Sequence, residues 1–147
     1  MDGGVLLELI MGDKGSYFYA AFGAAQAHED DARRAMRAAM ELRSMFAAEA
    51  GVSIGLASGM MRVGGYGGRT RQSFGAQGDA TNAAARLMML AKPGEILTSG
   101  RVRSAVANEF ALQARVPIVL KGKAEPMPVF ALLGPLRQRA MRLQERD

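Results

Sequence analysis

Apolar positions fall first in two strand-length runs, Val5–Met11 (VLLELIM) and Tyr17–Phe22 (YFYAAF), separated by Gly12-Asp13-Lys14-Gly15-Ser16. Such a pair predicts a hairpin, its glycines supplying the backbone freedom a tight turn needs. From Glu29 to Glu49 the period lengthens to that of a helix, with Ala32, Ala35, Met36, Ala39, Leu42 and Phe46 on one face. Glu29, Asp30 and Asp31 stand in its first turn, where the helix dipole favours negative charge, and Gly51 is the predicted stop. Val52–Gly59 reads as a buried strand. Gly64–Gly68 reads as a turn, and Thr70–Ala76 as a returning strand. Gly78-Asp79 opens a second helix over Ala80–Leu90, ended by Lys92-Pro93-Gly94. A short strand at Ile96–Thr98, a helix over Arg101–Ala107 and two closing strands, Phe110–Leu120 and Val129–Leu133, complete the pattern. Hairpins mixed with strand-to-helix connections predict an α+β sandwich on a mainly antiparallel sheet.

A length of 147 residues fits one domain, assigned here to residues 1–134, followed by an Arg-rich tail at 135–147 predicted to be helical. The 49% apolar and 22% charged fractions are those of a globular chain. Cysteine is absent, which removes disulfides, thiolate-bound zinc and thiol nucleophiles, and His28 is the single histidine. Uncharged runs such as Ala50–Met61 are broken by glycine and too short to span a bilayer. The N-terminus has no basic stretch of the secretory kind. A cytoplasmic domain without a membrane segment is the expectation. The net charge of +5 hints at anionic partners, but aromatics are only 6% and form no base-stacking pattern, so nucleic acid is not the expected partner.

Few residues carry chemistry. Asp13 at the hairpin tip can hold a hard cation such as Mg²⁺, or can simply form the turn. Asn82 and Arg86 are four apart and therefore share a helix face, where an amide and a guanidinium fork suit a ribose and a phosphate. Their alternative is an ordinary solvated face. The small Ala83-Ala84-Ala85 between them would let another group approach closely. Asp79 reads as a helix cap rather than a metal ligand. Lys121-Gly122-Lys123 could reach a polyphosphate or be a plain basic turn. Gly64–Gly68 is no phosphate loop, since no Gly-Lys-Ser/Thr follows it, and His28 reads as a residue of the cap region rather than a general base.

Taken in order, the segments GDKGSYFYAAFG, HEDDARRAMRAAMEL, VSIGLASG, GDATNAAARLM, KPGEILTS and LKG before PVFALL resemble the class III adenylate/guanylate cyclase catalytic domain. The resemblance runs from Gly4 to Leu133, and the GD-x-x-N-x-x-x-R stretch followed by PG-x-IL is its most specific part. It implies a ferredoxin-like fold. It also implies conversion of a nucleoside triphosphate, ATP before GTP, to the 3′,5′-cyclic nucleotide and pyrophosphate within a signalling protein. Two Mg²⁺ or Mn²⁺ ions would be held by two aspartates, of which Asp13 matches the second. Asn82 and Arg86 match the pair that orients the ribose and stabilises charge on the α-phosphate. Lys121 matches a lysine on the terminal phosphates. Metal and Asn/Arg groups come from opposite subunits in the family, which implies a homodimer. The family's first strand and helix, with the first metal aspartate, have no counterpart here, so this chain alone is expected to make little cyclic nucleotide. The purine-selecting positions fall on Leu9 and Gly75, whose side chains cannot hydrogen-bond a base edge. The alternative expectation is a non-catalytic dimerisation or regulatory module of a larger multidomain protein.

Overall fold

The computed structural model describes residues 3–11, 16–22, 30–47, 51–60 and 79–136. In chain order these form β1 (Gly3–Met11), β2 (Ser16–Phe22), α1 (Asp31–Met45), β3 (Val52–Met60) and α2 (Asp79–Leu90). β4 (Ile96–Ser99), α3 (Gly100–Val106), β5 (Phe110–Ile118) and β6 (Met127–Pro135) follow. The strands make one six-stranded sheet in the order β2-β1-β3-β4-β6-β5. Only β3 and β4 run parallel, on either side of the connection that contains α2; the other neighbours are antiparallel. The expected mixed α+β, mainly antiparallel architecture is the one found.

Alternation along the central strands sends two different surfaces to the two faces. In β3, Val52, Ile54 and Leu56 join Val5 and Leu7 of β1 against α1 and α3, around buried Met36, Ala35, Ala39, Val102 and Val106. The other face of β3 carries Ser53, Gly55, Ala57 and Gly59, and α2 packs there. A Cβ built on Gly55 would lie 2.4 Å from the Ala84 carbonyl oxygen and 2.6 Å from the Met88 nitrogen, so helix backbone rests directly on strand backbone. Ala80, Ala83 and Ala84, all buried, are small enough to permit this.

The elements differ from the sequence expectation at their ends. α1 stops at Met45 rather than near Glu49, with Phe46 as its C-cap. Gly51 is therefore not the helix stop: at φ +88° it turns the chain into β3 against Pro93. Leu42 and Phe46 are only partly buried. β5 ends at Ile118, leaving Val119 and Leu120 outside the ladder, and β6 extends to Pro135, which therefore belongs to the sheet and not to the tail. α3 starts one residue early because the Ser99 hydroxyl accepts the Val102 N–H at 3.4 Å. His28, the Gly64–Gly68 turn, the Thr70–Ala76 strand and residues 137–147 lie outside the described residues. No helix among the described residues is long and apolar enough to cross a membrane.

Candidate active site

α2 is amphipathic in an unusual way: its buried stripe is mostly alanine, and its exposed side carries Asn82 and Arg86 one turn apart. The helix is seated on Gly55 and Gly59, which fixes the height of those two side chains above the sheet. The close approach that the small Ala83 and Ala84 allow is made by β3. α2 begins at Asp79 itself.

The second wall comes from the β5–β6 connection. Gly122 takes φ +83°, a conformation that glycine adopts without a Cβ penalty, and the Lys123 N–H donates to the Leu120 carbonyl at 3.0 Å to close the turn. This turn faces α2 across a cleft of about 500 Å³ lined by Asn82, Arg86, Val119, Leu120, Lys121 and Lys123. Residues some 40 positions apart in the chain thus share one concavity, of the size that small-molecule sites have. Asn82, Arg86 and Lys121, singled out from the sequence, are brought together. Val119 and Leu120 were not. Their signal was an apolar pair running past the end of a strand into a Lys-Gly-Lys turn.

The cleft is strongly cationic: three basic side chains and one amide line it, with no carboxylate among them. Such a lining attracts a polyanion and gives it donors at several points. It does not fit a divalent cation, which needs carboxylate or carbonyl oxygens. Asp13 lies outside the described residues, as does Gly75. Leu9 is placed in β1 between Phe18 of β2 and Ile54 of β3. Among the described residues no cluster of three or more His, Asp or Glu side chains is present.

The family profile described as the adenylate and guanylate cyclase catalytic domain matches residues 11–134. The chain belongs to this family. Solved cyclase domains share its fold. The adenylyl cyclase CyaB from P. aeruginosa superposes with a TM-score of 0.72 at 17% identity, over 90% of this chain and 95% of that one. The dimeric guanylyl cyclase domain of the RhoGC fusion protein from the aquatic fungus Blastocladiella emersonii gives 0.77 at 17%, over 92% and 98%. The guanylate cyclase domain of RhGC from Catenaria anguillulae, in complex with GTP, gives 0.75 at 18%, over 90% and 97%. At these identities the likeness is one of fold. No curated protein matches this cyclase domain in sequence.

Proposed function

We propose that the cleft between α2 and the β5–β6 turn is the triphosphate half of a nucleotidyl cyclase site, working in a cytoplasmic signalling protein of several domains. The observation that carries the reading is the meeting of Asn82, Arg86 and Lys121 in one cationic concavity. Cyclisation joins the ribose 3′-oxygen to the α-phosphorus and releases pyrophosphate, so negative charge gathers on the α-phosphate oxygens and on the leaving group. The Arg86 guanidinium donates to the former, and fixed donors aimed at developing charge lower the barrier. The Asn82 amide holds the ribose in line. Lys121, with Lys123 beside it, neutralises the β- and γ-phosphates. A divalent cation, Mg²⁺ or Mn²⁺, would activate the 3′-hydroxyl and has Asp13 as its proposed ligand from this chain; the cleft lining itself does not hold it. The shared site of a homodimer would bring the remaining groups.

A second reading, a non-catalytic dimerisation or regulatory module, is favoured by the apolar Leu9 and the side-chain-free Gly75 at the purine-selecting positions. Binding and turnover separate the two. 3′-Deoxy-ATP, which cannot cyclise, is expected to bind the wild type. Arg86→Ala and Lys121→Ala should each weaken that binding by about tenfold, the worth of one charge-assisted contact. Both are exposed, so denaturation midpoints should shift by no more than about 0.5 kcal/mol. Binding that ignores both substitutions would remove the cleft as the nucleotide site. Binding of ATP and GTP without any cyclic product, even with Mn²⁺ and a proven dimer, would favour the module.

A further inference from the structure

A second concavity, of about 480 Å³, opens on the face of the sheet covered by α1 and is lined by Arg37, Met40, Asn108, Glu109, Phe110, Pro135 and Leu136. It lies away from the cationic cleft. That cleft adjoins the turn joining β5 to β6, whereas this pocket gathers the first residue of β5, the last of β6 and the middle of α1. Its walls divide by chemistry. Met40, Phe110, Pro135 and Leu136 supply its apolar lining, and Arg37, Asn108 and Glu109 the polar one.

Those polar groups are not equivalent. Glu109 is tied down: its amide donates to the Val106 carbonyl at 3.0 Å, and its own carbonyl accepts the Leu136 N–H at 2.9 Å. Its Oε1 takes the Arg33 guanidinium at 3.2 Å, and Arg33 also reaches Asp30 at 3.5 Å. Among the described residues the buried Glu109 Oε2 has no hydrogen-bond partner. Arg37 lies 3.8 Å from that oxygen, close enough for attraction and too far for a hydrogen bond. Its side chain is 63% exposed. Oε1 is thus spent on Arg33, while Arg37, drawn to Oε2 through one nitrogen, keeps its other guanidinium donors in a lining that also includes Asn108. Arg37 supplies cationic donors and Asn108 an amide N–H, which suits a ligand with one anionic acceptor group.

We propose that this pocket is a binding site for a small monocarboxylate with an apolar body, its carboxylate on Arg37 and Asn108 and its body against Met40, Phe110, Pro135 and Leu136. A single guanidinium matches one carboxylate in bidentate geometry. A phosphate dianion would lack a second cation, since Arg33 is already shared between two carboxylates. The occupant would bridge α1 to the open end of the β5–β6 hairpin and so stabilise the folded chain by mass action. This inference is independent of the cyclase reading.

Phenylacetate is a suitable probe, and phenylacetamide keeps its shape without the charge. In calorimetric titration of the full chain, phenylacetate should bind about tenfold more tightly than the amide, the difference expected when a charge-assisted contact is lost. It should also raise the melting temperature. Arg37→Gln should weaken phenylacetate by a similar factor and leave the amide unchanged. Arg86→Ala, in the other cleft, should leave both unchanged. Equal binding of acid and amide to the wild type, or no binding of phenylacetate at all, would overturn the site whatever the variants do. Loss of binding in Arg86→Ala but not in Arg37→Gln would assign the carboxylate to the cationic cleft instead.

Discussion

Glu8 is a carboxylate in the middle of an apolar strand, 5% exposed, and its Oε2 atom has no hydrogen-bond partner among the described residues. It stands opposite Tyr19 on one side and Gly55 on the other, on the face that α2 covers. Burial disfavours the charged form and pushes its pKa above the usual carboxylate value. The unfolded chain therefore ionises first as pH rises past about 4.5, and stability falls until pH passes the folded value. Replacing the group by an apolar side chain of similar volume removes this penalty. Glu8→Leu should stabilise the protein by roughly 1–3 kcal/mol near neutral pH. Urea titrations at about pH 7.5 and about pH 4 should show the gain shrinking at the lower value, where the native carboxyl is neutral. A gain of the same size at both would mean that folding leaves the Glu8 pKa unshifted. Glu95 behaves oppositely. Burial raises its pKa, but the Lys92 N–H at 2.9 Å and the Arg115 guanidinium at 2.7 Å outweigh that, and its net shift is downward. Its contribution is present above the unfolded value and is lost as pH falls through the folded one.

At the level of elements, the contact that matters most to the cationic cleft is α2 on β3. The sequence VSIGLASGM alternates large and small residues, so one face of a single strand builds a core while the other admits a helix at backbone distance. Gly55→Ala places a methyl group 2.4 Å from the Ala84 oxygen and 2.6 Å from the Met88 nitrogen. Both neighbours are backbone and cannot rotate away, so the helix must move. The expected cost is about 1–3 kcal/mol or more, with nucleotide affinity falling alongside because Asn82 and Arg86 ride on the displaced helix. Gly59→Ala meets only the Ala80 methyl at 3.3 Å and should cost less. Denaturation and 3′-deoxy-ATP binding measured on both variants check the ranking. If Gly55→Ala is as mild as Gly59→Ala, the close seating of α2 is wrong.

Among the described residues the sheet ends in two strand edges. β2 closes one side of the sheet with Phe18 and Tyr19 more than half exposed, and β5 closes the other with Gln113–Pro117 exposed. Unpaired edges and exposed aromatics are templates for association. Light scattering on this chain of 15.7 kDa should give a mass that rises above the monomer with concentration. Phe18→Lys should reduce that rise, because a charge at an edge opposes strand pairing. A monomer at every concentration, before and after the substitution, would contradict the prediction.

The order of elements was legible in the sequence because period-2 and period-3.6 patterns are local, and because Lys92-Pro93-Gly94 marks the end of α2. Their pairing was not. No local signal joins β3 to β4 in parallel while β1 pairs with β3, since strand order is decided by which apolar faces can be buried together. The candidate site divides in the same way. Asn82 and Arg86 could be placed on one helix face from their spacing alone, which is a property of the helix. That the Lys121 turn stands opposite them, with Val119 and Leu120 beside it, follows from the sheet bringing β6 next to β4 under α2. The alanines of α2 marked room for some group to approach closely. Only the tertiary structure shows that Gly55 and Gly59 take that room, because close approach is a relation between two elements and neither sequence segment carries it alone.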